Sequence, residues 1–302
     1  MKKFLLFNLL FAMLFSFPVL AQEYDVDDDD EQPEEFMIPI NYIVTQEIVK
    51  TKKPIKYADV KEDDILWSTT IMRLIDCREK INYPLYYPTI ELDYRKSLVQ
   101  SLVEGIKKGR IQAYDPNNDE FKTKLTPEEV IAKFDAGDRI IKQQKIDGTG
   151  DTTIIIKNQI NWGEVRQFLL KEVWFFDRHR STLDVRIIGV CPIRIFRKNI
   201  QTIDDEEFTG EEMRSKLFWV YFPEARRVLA NTICYAGKNN QANISFDDLM
   251  HKRRFTSHIV SESNSLNDRP ITEYTGNGIE AIMESERIKT QMLRMESDFW
   301  EY

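Results

Sequence analysis

The chain has 302 residues, with 42 lysines and arginines against 50 aspartates and glutamates, a formal charge of −8, and three each of histidine and cysteine. An acidic chain of pI about 5.2 has no counterion-release drive toward nucleic acid or anionic lipid, and so few His and Cys leave little for zinc or iron–sulfur sites. The length suffices for one large domain or two modest ones with ample core.

Lys2 and Lys3, an apolar run from Phe4 to Phe17, then Pro18, Val19, Leu20 and Ala21 predict a cleaved secretory signal over residues 1–21. Gln22, not Cys, follows the cut, so the expectation is a soluble exported protein that carries no lipid and reaches any membrane only through a partner. Residues 22–62 read as an acidic linker, disordered or extended, because self-repulsion around Asp27 to Asp30 and scarce apolar surface oppose folding. Asp25, Asp27 and Asp29 begin like a calcium loop, but Asp30 stands where that loop needs Gly and Phe36 where it needs Glu.

Asp63 or Asp64 can cap a helix whose stripe is Trp67, Ile71, Leu74 and Ile75, ended by Asn82 and Pro84. Leu98, Val99, Leu102, Val103 and Ile106 predict a second helix ended by Gly109, with a strand over 110–114 after it. Thr126, Pro127 and Glu129 form a capping box for a third helix carrying Val130, Ile131 and Phe134. Residues 140–146 and 152–157 predict a hairpin around Gly148 and Gly150. A phosphate-binding loop would have to enter a helix, whereas a β-branched run follows here.

A second hairpin is predicted over 168–177 and 183–191, then a strand over 218–221 closed at Pro223 and a helix over 224–231. Ser245 and Asp248 cap another helix with Leu249 and Met250, and a last helix over about 278–297 carries Ile288, Met292, Met295 and Phe299 as a packing or partner face. The fold class is α+β, with mixed helices and antiparallel hairpins. The helix, Tyr114, turn and Thr126 cap are echoed by a helix, Tyr235, turn and Ser245 cap. With an acidic insertion near 204–212 in the second copy, that echo allows two related α+β units, 63–158 and 159–302.

Cys77, Cys191 and Cys234 can form at most one disulfide, and their apolar neighbours favour buried free thiols. No residue is assigned a catalytic, cofactor-binding or metal-ligating role: there is no nucleophile elbow or zinc-protease motif, and His179, His251 and His258 lie among basic residues. The chain is rich instead in Arg beside carboxylates and rings: Asp76, Arg78 and Glu79; Asp177, Arg178 and Arg180; Asp184 and Arg186; Glu224, Arg226 and Arg227; Asp268 and Arg269. Bidentate Arg–carboxylate pairs with aromatic neighbours recur at protein interfaces and equally as internal ties. Interface or architectural candidates are Trp67, Asp76, Arg78, Trp174, Asp177, Arg180, Trp219, Arg253 and Trp300. The alternative is a periplasmic hydrolase with a carboxylate site around Asp177 and Asp184.

The stretches Leu66 to Pro88 (LWSTTIMRLIDCREKINYPLYYP), Lys171 to Pro192 (KEVWFFDRHRSTLDVRIIGVCP), Leu217 to Leu229 (LFWVYFPEARRVL) and Lys252 to Tyr302 (with KRRFTSHIVSESN and GIEAIMESERIKTQML) resemble the GldN or PorN family of the type IX secretion system. That resemblance implies a periplasmic, non-enzymatic subunit without cofactors. It would form a ring with an outer-membrane lipoprotein, GldK or PorK, and engage the inner-membrane-anchored motor protein GldM or PorM. Neither nucleic-acid binding nor direct membrane insertion is expected.

Overall fold

The computed structural model describes residues 51–90, 92, 95–144, 151–197, 212–234 and 244–300, with backbone alone for 137–144, 151–158 and 300. These residues fall in one compact unit, Gln46–Tyr302. The expected signal, most of the acidic linker, the turn around Gly148, most of the acidic insertion and Tyr235 lie outside them. In chain order the strands are β1 (Ile65–Asp76), β2 (Ala113–Tyr114), β3 (Lys124–Leu125), β4 (Gly137–Gln144), β5 (Asp151–Asn158), β6 (Val165–Asp177), β7 (Thr182–Arg197), β8 (Glu212–Lys216), β9 (Trp219–Tyr221) and β10 (His258–Glu262). The helices are α1 (Tyr83–Tyr86), α2 (Leu98–Lys107), α3 (Pro127–Ala132), α4 (Phe222–Ala230), α5 (Phe246–His251), α6 (Ile271–Tyr274) and α7 (Gly278–Trp300).

The α+β class holds: one antiparallel sheet of eight strands runs β10-β1-β6-β7-β9-β2-β3, with β8 also on β7, while β4 and β5 pair with each other. The first helix does not. Residues from Ile65 form β1, which pairs with β6 along its length and with β10 at residues 71–74. Trp67, Ile71 and Ile75 are four apart, a spacing that keeps one face in a helix and in a strand alike. The β-branched run Thr69, Thr70, Ile71 and two flanking strands decide for the sheet.

Local signals elsewhere set the helix ends. Both bonds of the Thr126–Glu129 and Ser245–Asp248 capping boxes form, as does a third between Ser97 and Gln100 that starts α2. Gly109 ends α2 with φ +67°, a left-handed conformation that glycine adopts without a Cβ penalty. The strand expected over 110–114 is shorter, because the Arg110 and Ile111 amides donate back to the Gly105 carbonyl and close the helix, leaving Ala113–Tyr114 to pair. Helix α4 begins at Phe222, with Pro223 inside its first turn. The echo has a geometric counterpart: Ala113 pairs with Leu125 just before the Thr126 cap, and Ile233 bridges the capping residue Ser245.

Register then distributes the core. Along the β1–β6 ladder, Ile75 lies opposite Phe168, Arg73 opposite Leu170, Ile71 opposite Glu172 and Trp67 opposite Phe176, all on one face. At the Ile75 end this face joins a large core with Leu102, Ile106, Leu229, Phe246 and Met250 from α2, α4 and α5. At the Trp67 end a second cluster forms from Ile71, Ile259, Ile271, Ile288 and Met292, so the face of α7 read from the sequence packs on the sheet. The other face carries Leu169, Cys191 and Trp219, against which Phe121 packs edge-on.

All three cysteines are free and buried, and burial pushes each thiol up to about 12. Such thiols are neither accessible nor ionised near neutrality. A chromogenic disulfide reagent at pH 8 is expected to label none of them in the native protein and all three in denaturant; rapid native labelling would show the burial to be wrong.

Candidate interaction surface

The Arg–carboxylate clusters at residues 76–79, 177–180, 184–186 and 224–227 make ion pairs within the chain, whereas Arg269 lies over the Tyr274 ring. At the end of β1, Asp76 Oδ2 accepts from Arg78 Nε at 3.0 Å and Nη2 at 2.6 Å, and from Gln167 Nε2 at 3.2 Å. At the end of β6, Asp177 accepts from the Arg180 Nε at 2.7 Å and from the His179 and Arg180 amides, which folds the β6–β7 turn onto the strand. Asp177 pairs with Ile65, whereas Asp76 pairs with Gln167, so the two carboxylates sit at opposite ends of one ladder, roughly 35 Å apart at strand rise. They form two anchors and do not converge on one site.

The chemistry of these carboxyls is that of fixed ions. Hydrogen bonds from Arg180 hold Asp177 below the ordinary carboxylate range. Burial pushes Asp76 and Asp248 upward, but the bonds from Arg78 to the first and from Lys52 and Ser245 to the second outweigh it and leave both low. A carboxyl held ionised in this way is a poor proton donor, which weighs against Asp177 as the acid of a hydrolase. Each folded pKa lies below the unfolded value of about 4, so each contributes stability that is complete above that pH and lost as pH falls through the folded value. Acid unfolding is therefore expected below about pH 4, with a shallower pH dependence in Asp76→Asn, followed by circular dichroism. An unchanged slope in that variant would remove Asp76 from the account.

Between the two cores on the same sheet face lies a fully buried charge. Glu172 is fully buried and accepts from both terminal nitrogens of Arg253, at 2.9 and 3.0 Å, and from Trp174 Nε1 at 3.1 Å. Arg253 lies 5.3 Å from the Trp174 ring centre and 5.4 Å from that of Phe255. It adopts φ +50° just after α5, a conformation uncommon for a residue with a Cβ. Arg73, also buried, donates to Ser257 Oγ at 2.9 Å and lies in the field of Glu172. Trp174 and Arg253 are thus brought together, and the residue joining them, Glu172, was not singled out from the sequence. Nothing in the local pattern marks it.

A third cluster fastens residues 51–61 to the body of the fold. Arg226 donates to both Asp247 oxygens, at 2.7 and 3.2 Å, and to the Ile55 carbonyl at 2.6 Å, while stacking 4.2 Å from the Tyr57 ring centre. Arg186 donates to the Ala58 carbonyl and lies between the Tyr57 and Phe175 rings. Lys52 pairs with Asp248. Two pairings suggested by sequence proximity are therefore not made: Arg226 takes Asp247 instead of Glu224, and Arg180 reaches Asp184 at 3.5 Å while Arg186 serves the strap. Among the remaining candidates, Trp67 packs on the α7 cluster and Trp219 is buried, while the side chain of Trp300 lies outside the described residues.

Among the described residues, no helix is long and apolar enough to cross a membrane, and no group of three His, Cys, Asp or Glu is placed to hold a metal. Fold and clusters together define an α+β scaffold whose ion pairs tie its own strands, helices and strap to one another. The chain belongs to the family described as Gliding motility associated protein GldN, whose sequence profile matches residues 60–301. No curated protein matches it.

Proposed function

We propose that the chain is a non-enzymatic structural subunit of a periplasmic ring in the type IX secretion and gliding motility machinery. It binds the outer-membrane lipoprotein GldK or PorK, which supplies the membrane anchor, and the motor protein GldM or PorM. The observation that carries this reading is the family match, which spans β1 through α7 and so takes in the whole sheet. Two features support it. The predicted signal ends before Gln22, which cannot take the acyl chains of a lipoprotein cysteine. The long β1–β6–β7 ladders, braced by buried ion pairs, form a stiff body suited to passing load between neighbours. Co-expression with the lipoprotein, followed by sizing and electron microscopy, is expected to give a large closed assembly containing both chains. A protein that stays a lone monomer beside its lipoprotein overturns the proposal.

A further inference from the structure

The strap over residues 51–61 is held to the body by few contacts. It contains no helix or strand, none of its residues is buried, and among the described residues no backbone–backbone hydrogen bond ties 51–60 to the rest. Two guanidiniums grip it instead. Arg226 Nη2 donates to the Ile55 carbonyl at 2.6 Å, and Arg186 Nη2 donates to the Ala58 carbonyl at 2.5 Å. The ring of Tyr57, which lies between those two residues in sequence, sits 4.2 Å from the Arg226 guanidinium and 5.3 Å from that of Arg186, with the His251 ring centre 5.7 Å away. Ile55 turns its own side chain to solvent. Main-chain carbonyls and a single anchoring side chain are what a groove reads in an extended peptide, with little demand on the other side chains.

The floor of this groove is built without the strap. Arg226 is 6% exposed and donates to both oxygens of Asp247, itself 2% exposed, so its guanidinium keeps its aim when the strap leaves. Arg186 Nε is buried and meets no acceptor among the described residues, although a buried donor is ordinarily paired. Asp247 is engaged by Arg226 and Asp184 by Arg180, which leaves the charge of Arg186 unanswered. The strap thus fills the groove without satisfying it. We propose that residues 55–58 are an internal ligand, displaced by an extended segment of a partner protein that offers an aromatic residue followed by a carboxylate. The incoming ring takes the place of Tyr57 against the guanidiniums, and the carboxylate accepts from Arg186 Nε, where the strap supplies only Ala58 and a neutral carbonyl. Displacement frees the strap and spares the sheet, since no strap residue belongs to a core cluster. The exchange does not depend on ring assembly.

The probe is a fluorescein-labelled peptide of residues 51–61 carrying Ala58→Asp, and its binding to the full chain is followed by fluorescence anisotropy. The wild-type chain should bind it weakly, because the tethered strap competes at a high effective concentration. Tyr57→Ala in the chain removes the strap's ring without touching the core, and should tighten binding by about tenfold with an unchanged melting curve. Adding Arg186→Gln to that chain should abolish binding. A peptide of unaltered sequence should bind the Tyr57→Ala chain about threefold more weakly than the probe, and a peptide carrying Tyr57→Ala should not bind. Hydrogen exchange should show residues 51–61 losing protection when the probe binds the wild-type chain, while β1 and β6 keep theirs. Lys52→Ala, which loosens the strap at its pair with Asp248, gives the same comparison should Tyr57→Ala disturb folding. No binding to either opened chain, equal binding by wild-type and opened chains, or binding that survives Arg186→Gln overturns the proposal. Displacement of the probe by inorganic phosphate alone overturns it too, since the groove would then be a simple anion site.

Discussion

Arg253→Ala is expected to destabilise the fold by about 3–5 kcal/mol, because it leaves the carboxylate of Glu172 buried without its bidentate partner. Glu172 has no exposed surface through which water could replace the guanidinium. Arg73, held in place by Ser257, leaves a positive charge in the field of Glu172, which places the expected loss toward the lower end of that range. Two companion variants separate the contributions. Arg253→Gly relieves the positive φ and should be milder than Arg253→Ala by about 1 kcal/mol. The pair Glu172→Gln with Arg253→Met removes both charges and should recover most of the loss, since an uncharged buried pair carries no unpaired ion. Urea unfolding followed by tryptophan fluorescence measures all three. If Arg253→Ala unfolds at the wild-type midpoint, the pair contributes nothing.

The second large effect is expected at Arg226→Ala, also about 3–5 kcal/mol, because Asp247 is even more buried than its partner and loses both bonds. This variant has a separate local signature. Arg226 also holds the Ile55 carbonyl and stacks on Tyr57, so its removal should release residues 51–58 and open them to limited proteolysis under conditions where the sheet stays protected. Arg226→Lys should not rescue, since an ammonium cannot span both Asp247 oxygens while reaching Ile55. Protection of the strap equal to wild type in Arg226→Ala would locate its anchor elsewhere, at Arg186 or Lys52.

What was legible in the sequence was what neighbours in the chain decide. The caps at Thr126 and Ser245, the stop at Gly109 and the β6–β7 hairpin depend on residues within a few positions of each other, and all appear as read. The cap at Ser97 and Gln100 carried the same signature and was overlooked. The misread β1 shows the limit: its spacing satisfied two periods, and the strands that settle the matter arrive roughly a hundred and two hundred residues later. The clusters divide in the same way. Asp76 with Arg78 and Asp177 with Arg180 are local and were found, whereas Glu172 with Arg253 and Arg226 with Asp247 join distant segments that no spacing rule connects.

The placement of β1 between β6 and β10 also bears on how the molecule comes into being. Its two ladders close loops spanning most of the described chain, and loop closure of that length makes folding slow compared with local hairpins and helices. The β6 edge of β1 can pair once Asp177 has been made, whereas its β10 edge stays open until the segment through Glu262 follows. A chain that stops short of His258 would therefore leave that edge of β1 bare at residues 71–74.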